Sequence, residues 1–189
     1  MKKIIIAASL VLLTACSAPN QHQINFVPKA TLSSTNIVES KQFSFSSEDA
    51  RTAQYVALMD SGRERVEPIH PRQNVRIALE NALVNQFESQ GFTVTNNSDN
   101  TVKLAINEVL VSVKHSVLEN EMNASVVLEL TIENKQGKLV KTFNGTANHS
   151  GMFSASDEEI AEVLNNVTDL VLQKIAQDQE VQNYMKERF

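Results

Sequence analysis

Residues 121–133 read EMNASVVLELTIE, and this stretch decides the fold of the chain. Every even-numbered residue from Met122 to Ile132 is apolar, and most of the odd-numbered residues are polar or charged. Side chains of a β-strand alternate between two faces, so this period of two predicts a strand with one dry and one wet face. An antiparallel sheet that is covered on one side has this pattern.

The flanking residues continue the predicted sheet in both directions. Upstream, apolar residues occupy even positions from Val102 to Ile106, then odd positions from Val109 to Val113 and again at Val117. One extra residue sends all later side chains to the opposite face, so we predict a β-bulge or a break near Asn107-Glu108. Downstream, residues 134–138 contain a glycine and predict a hairpin loop, after which residues 139–153 return as the partner strand.

Two amphipathic helices accompany these strands. Apolar residues at intervals of three and four predict a helix from Arg72 to Gln90 that ends at Gly91. Ser156 and Glu159 have the spacing of a capping box, in which each side chain satisfies a backbone amide of the other residue. A second helix with helical apolar spacing over residues 160–175 therefore begins there.

These elements predict the fold class. An earlier strand is expected at Gln42–Ser46, where phenylalanines alternate with polar residues. The amphipathic helices and the sheet, which has one apolar and one polar face, must each bury a single apolar face. We therefore expect an α+β two-layer sandwich. It would have two helices on one face of a mainly antiparallel sheet of about four to five strands. The predicted domain covers residues 42–189.

Residues 61–71 form the predicted exposed loop of that domain. They hold a glycine, two prolines and several charges, which is typical of loops. We therefore name Arg63, Arg65 and His70 as candidate partner-contact residues.

The first residues have the pattern of an export signal. Lys2 and Lys3 precede an apolar run, which is about half the roughly 20 residues that a spanning helix needs. The run ends in Leu-Thr-Ala-Cys at residues 13–16, which looks like a bacterial lipobox. We predict that residues 1–15 are removed by cleavage between Ala15 and Cys16. Cys16, the single cysteine of the chain, would then carry N-acyl and S-diacylglycerol lipids.

Residues 16–41 are rich in small polar residues and are predicted to be a lipidated N-terminus and flexible tether. Ile24–Val27 is the one stretch within them that alternates, and it is compatible with a short edge strand that ends before Pro28.

Composition excludes several classes of partner. Two of the 17 basic residues lie in the signal, whereas all 22 acidic residues lie beyond it. The exported part is therefore acidic and has no long basic cluster, so nucleic acid is not an expected partner.

The sequence contains no zinc-binding, phosphate-binding or hydrolase motif. The four histidines (His22, His70, His115 and His149) are far apart in sequence and form no zinc motif. His115 and His149 fall on neighbouring predicted strands, where they could meet. The acidic residues 157–159 suit a helix start better than general acid–base chemistry. We expect no metal, no cofactor other than the covalent lipid, and no enzymatic activity.

The order of segments then suggests a family. Five features carry this order. These are the lipobox, the turn at residues 48–52, the helix ending at Gly91, the long hairpins, and residues 151–156 before a final helix. In the order of these five features the chain resembles the YajG family of bacterial lipoproteins. The resemblance implies location and class, because that family has no established activity or ligand. Ser17, which stands after the cysteine in place of aspartate, implies sorting to the outer membrane, with the domain on its periplasmic face.

Three hypotheses for function remain. The first is a non-enzymatic adaptor whose exposed loop and sheet edge bind an envelope protein. The second is a module that binds a lipid or a peptidoglycan fragment between sheet and helices, which requires a cavity there. The third is a hydrolase, which would need convergent titratable groups in a cleft.

Overall fold

The computed structural model describes residues 22–62, 65–116 and 118–189. Within these ranges no helix is long and apolar enough to cross a membrane. The elements, in chain order, are β1 Gln23–Ile24, β2 Lys41–Asp49, β3 Ala57–Asp60, β4 Val66–Pro71, α1 Val75–Ser89, β5 Phe92–Val94, β6 Thr101–His115, β7 Glu119–Asn134, β8 Gly137–Met152, α2 Asp157–Gln177 and α3 Gln179–Arg188.

The predicted antiparallel meander is confirmed. β6, β7 and β8 pair in sequence order along nearly their full lengths. The register between β6 and β7 shifts between Ile106 and Glu108, so the predicted bulge is present where the apolar phase changes. The even-numbered residues of β7 from Met122 to Ile132 are buried, as the alternation required.

The sheet is larger and more mixed than predicted. On the side away from β7, β6 pairs in parallel first with β2 and then with β3. β5 extends the sheet beyond β2, and β4 and β1 extend it beyond β3, so the described residues form eight strands rather than four or five. Parallel pairs join segments that are distant in sequence and need no tight turn, so they leave no local signal.

Two long helices pack on one face of this sheet, as predicted. A third helix, α3, which the predicted two-helix sandwich did not include, adds Val181 and Met185 to the continuous core. Phe43 of β2 makes edge contacts with Phe87 of α1 and Phe92 of β5 at ring-centroid distances of 5.5 and 5.8 Å. Leu164 and Val171 of α2 are fully buried. The capping box is confirmed, because the Ser156 N–H donates to Glu159 Oε2 over 2.8 Å and the Glu159 N–H donates to Ser156 Oγ over 3.2 Å.

Residues 22–38 differ from the predicted flexible tether. Ile24 and Phe26 are fully buried, and β1 pairs with β4 as a short edge strand. The Val27 N–H donates to Asn165 of α2 over 2.9 Å. Burying one such apolar side chain contributes about 1.5–3 kcal/mol, so two of them hold a polar segment against the domain. Only the weak alternation at Ile24–Val27 indicated this.

Residues 61–71 also differ from prediction. They are not one loop, because Val66–Pro71 forms β4 and pairs antiparallel with β3. Ile69 is buried under this hairpin, whereas Val66, Glu67 and Pro68 are exposed. Two prolines in six residues concealed the strand, and a position at the margin of the sheet tolerates them.

Candidate functional site

The structure separates the predicted contact residues. Arg65 and His70 are both exposed, but they lie at opposite ends of β4, and His70 is paired with Gln23 of β1. Arg63, Ala15 and Cys16 lie outside the described residues. Arg65 and His70 therefore do not converge on a common site.

The outer edge of β8 is the longest open hydrogen-bonding surface of the described sheet. β8 has 16 residues and pairs with β7 alone among the described strands. Open edges of this length are a template for pairing with another extended segment.

The direction of each backbone group on β8 follows from one hydrogen bond and the register of the strands. The Ser116 N–H donates to the Glu119 carbonyl over 2.8 Å, so odd-numbered residues of β7 pair towards β6 and even-numbered residues pair towards β8. In the observed register, even residues of β7 stand opposite odd residues of β8. Odd residues of β8 therefore bond β7, and even residues direct their N–H and C=O groups outwards.

A contact from α2 supports this assignment. Lys174 Nζ donates to the carbonyl of Asn144 over 2.7 Å, so an even-numbered carbonyl of β8 is accessible from outside the ladder. The outward-directed residues between the hairpin and the end of the strand are Lys138, Val140, Thr142, Asn144, Thr146, Asn148 and Ser150. Most of them are polar, and Lys138 places a charge at one end.

A polar depression of about 380 Å³ lies beside this edge, near the β6–β7 turn. Lys114, Glu121 and Ser150 stand opposite one another on three successive strands, so they share the open face of the sheet. Asn123 Nδ2 donates to Glu121 Oε1 over 3.1 Å. The depression therefore offers ammonium, carboxylate, amide and hydroxyl groups to a polar ligand.

The two strand histidines line this depression. His115 is opposite Asn120, and His149 is opposite Met122. No cluster of three or more potential metal-ligating side chains occurs within the part of the chain that the structure describes.

A charged cluster joins the end of β2 to the following loop. Arg51 Nε and Nη2 donate to the two carboxylate oxygens of Asp49, each over 2.8 Å, and Nη1 donates to the Tyr55 carbonyl over 3.3 Å. The hydrogen bond from Arg51 lowers the pKa of Asp49 below its ordinary value of 3.8. The Arg51 side chain is only 6% exposed, so the pair ties the loop after β2 to the end of that strand.

An apolar groove of about 390 Å³ runs between residues 26–30 and α1. Val27 and Ile77 on its walls are each about half exposed, with relative areas of 49% and 48%. The groove exists because the N-terminal segment docks, so it could not be expected from a sequence that predicts a tether there.

Comparison with known proteins decides the class of the protein. A family model described as "Uncharacterized lipoprotein" matches residues 28–186. The chain belongs to this lipoprotein family. Two relatives, the uncharacterized lipoprotein YajG of Escherichia coli K12 and that of Escherichia coli O6:H1, are each 23% identical over 182 residues. The matches cover 95% of the chain and 93% of each relative, so the resemblance to the YajG family is confirmed.

A solved structure shares the fold of this YajG-family chain. Protein XCC0632 from Xanthomonas campestris has a TM-score of 0.57 and 12% sequence identity, and covers 89% of this chain and 98% of its own. At this identity the likeness concerns the fold alone.

Family membership makes the protein a membrane-anchored lipoprotein of the cell envelope. The YajG relatives are uncharacterized, so the family supplies no residue roles. Two features of this YajG-family domain escaped sequence reasoning, namely the length of the open β8 edge and the Asp49–Arg51 pair. The even-numbered polar residues of β8 were visible as a pattern, but which strand would lie at the margin was not.

Proposed function

We propose that this YajG-family protein is held by lipids on Cys16 at the periplasmic face of the outer membrane. Its domain would act there as a non-enzymatic module that binds another envelope protein. The lipobox at residues 13–16 and the family support the anchor, and Ser17 in place of aspartate supports the outer membrane as its destination.

The observation that carries this proposal is the open edge of β8. An extended segment of a partner adds to such an edge by main-chain hydrogen bonds, and the neighbouring side chains select its sequence. From Thr142 to Ser150, alternate residues direct both backbone groups outwards. The Asn144 carbonyl already accepts from Lys174, and the stretch from Thr146 to Ser150 beyond it offers a ladder for a short strand.

The side chains along the edge favour a specific partner over self-association. Thr142, Thr146 and Asn148 are polar and exposed, and Lys138 is charged. Polar and charged edges resist indiscriminate pairing between copies of one chain. The edge is therefore suited to a partner that supplies complementary hydrogen-bonding side chains.

A proline variant tests the edge directly. Thr146→Pro removes one outward N–H and leaves the bonds of Gly145 and Ala147 to β7 in place, because proline is tolerated at strand edges. Thr146→Val is the matched control, since it keeps the N–H and the β-branched shape. A photo-crosslinking amino acid at Asn148 reports contact in living cells, and the same probe at Ile77 on α1 reports background.

We expect the Asn148 probe to crosslink one envelope protein in the Thr146→Val background, and this band to fall by about tenfold or more in the Thr146→Pro background. Thermal unfolding of both variants verifies folding, and Thr142→Pro replaces Thr146→Pro if the latter does not fold. An equally strong band in the proline background would refute binding through the β8 edge.

The alternative is a binding site for a peptidoglycan fragment, favoured by the polar depression beside Lys114 and Glu121. The space between sheet and helices, where such a site was first expected, is filled by buried side chains such as Leu128 and Leu164. A purified muropeptide that binds wild type and Thr146→Pro equally, but binds Glu121→Gln weakly, would favour this alternative over the edge.

A further inference from the structure

Three large apolar side chains form an exposed tip at one end of the sheet. Leu118, Met152 and Phe153 have relative exposed areas of 74%, 80% and 70%. They are adjacent, because Met152 is paired with Glu119 and the Phe153 N–H donates to the Leu118 carbonyl over 3.1 Å. We call these three residues the apolar tip.

The backbone holds Phe153 in an unfavourable conformation. Its φ is 66°, in the left-handed region that bulky residues rarely adopt. Asn120, which is 1% exposed, donates from Nδ2 to the Phe153 carbonyl over 2.9 Å, and the Phe153 N–H is bonded to Leu118. Strain of this kind persists only where the surrounding structure imposes it, and such positions cluster at functional sites. Here the imposed conformation accompanies an aromatic ring that faces solvent.

The N-terminal end of the described chain lies at the same end of the domain. His22 Nδ1 is 3.0 Å from Asp157 Oδ1, and the Gln23 N–H donates to Asp157 Oδ2 over 3.3 Å. Asp157 is only four residues after Phe153. In addition, β1 runs parallel to β4 and therefore away from the β6–β7 turn, so His22 lies at the end of β1 that faces the tip.

Chain length limits where the anchor can be. The six residue steps from Cys16 to His22 span at most about 20 Å, and the four from Phe153 to Asp157 at most about 14 Å. The 16-residue strand β7 is roughly 50 Å long, so the hairpin around Gln136 at its other end is much farther away. An anchor on Cys16 consequently holds the bilayer near the apolar tip.

We infer that the apolar tip inserts into the boundary between headgroups and acyl chains of the bilayer that carries the anchor. This inference rests on the proposed lipidation of Cys16. The anchor confines the domain to the surface, and the tip determines which end of the domain faces it. Three apolar side chains are too few to bind a membrane alone. They suffice to orient the domain once the lipids of Cys16 have brought it to the membrane surface. The sheet then projects from the membrane with the β7–β8 hairpin outermost.

Tryptophan fluorescence tests the inference, because the natural chain contains no tryptophan. Full-length protein with Phe153→Trp, Leu118→Trp or, as the matched control, Gln136→Trp is purified and reconstituted into vesicles of phosphatidylethanolamine and phosphatidylglycerol. Part of the phospholipid carries bromine near the top of the acyl chains, where it quenches only inserted tryptophan. The intact mass of each preparation reports the acylation of Cys16.

We expect about half or more of the tryptophan emission of the two tip variants to be quenched, because interfacial insertion reaches about 5–10 Å into the boundary. The emission of Gln136→Trp should be unaffected. If Cys16 is acylated but the tryptophan of the tip variants is quenched no more than that of the control, the inference is overturned, whereas the proposed lipid anchor is not. A blue-shifted tip emission without quenching would also overturn it, because a protein surface would then cover the tip. Unmodified Cys16 would overturn the anchor and the inference together.

Discussion

Gly91 is the position at which a single methyl group should displace residues 36–38 of the N-terminal segment. It follows α1 with a φ of 96°, and a Cβ built on it would lie 2.2 Å from the Val38 carbonyl oxygen. The Ile37 N–H donates to the neighbouring Gln90 carbonyl over 2.9 Å, and Val38 is buried. Gly91→Ala therefore cannot be accommodated unless residues 36–38 move away.

The expected loss of stability follows from these contacts. A left-handed alanine costs about 1–2 kcal/mol, and loss of the Ile37 hydrogen bond costs about 1 kcal/mol. Exposure of Val38 costs about 2 kcal/mol, and the smaller conformational entropy of the unfolded alanine chain returns about 0.7 kcal/mol. The free energy of unfolding of Gly91→Ala should therefore be about 4 kcal/mol lower than that of the wild type.

Urea unfolding followed by circular dichroism measures this difference, with proteolysis as a local probe of residues 22–41. Gly137→Ala is the matched control, because the nearest atom to its added Cβ is the Tyr184 hydroxyl at an ordinary 3.5 Å. A Gly91→Ala protein within about 1 kcal/mol of the control, with residues 22–41 still protected, would refute the docked position of this segment.

Two further predictions concern the charged pair and the anchor. Asp49→Asn should cost about 2 kcal/mol at neutral pH, because it leaves the nearly buried Arg51 without its counter-charge. In the wild type this contribution exists only while the Asp49 carboxylate is ionised, so it should be lost as the pH falls below about 4 and through the lowered pKa of Asp49. Chemical unfolding at several pH values measures this loss of stability. If the stability of Asp49→Asn depends on pH in the same way as that of the wild type, the prediction is contradicted. Cys16→Ser should leave the precursor uncleaved by the lipoprotein peptidase and should block incorporation of labelled palmitate, and normal processing of that variant would disprove lipidation at this residue.

The meander was predictable because its information is local. Alternation over Met122–Ile132, the phase change before Val109 and the glycine in residues 134–138 specify faces, a bulge and a turn within one continuous stretch. The capping box at Ser156 and Glu159 is local in the same way, since both hydrogen bonds close within one helical turn. The lipobox pattern at residues 13–16 is also local in sequence, and lipidation at Cys16 stays a prediction.

The candidate site was far less predictable. Nothing in residues 137–152 indicates that β8 has no second neighbour, because an edge is defined by strands that are elsewhere. The apolar tip had the same difficulty, since Met152 and Phe153 are in a stretch that reads as the end of a partly buried strand. Their exposure depends on Leu118 and Asn120, which are more than 30 residues away in sequence.

The sequence by itself therefore determined the antiparallel meander, its buried face and the capped start of α2, and it predicts an export signal. Tertiary structure alone decided the parallel pairing of β2 and β3 with β6, the docking of residues 22–38 and the position of the open edge. The physical reason is the range of the interactions. Periodicity and capping act between residues a few positions apart, whereas parallel pairing and segment docking depend on which distant surfaces bury the most apolar area together.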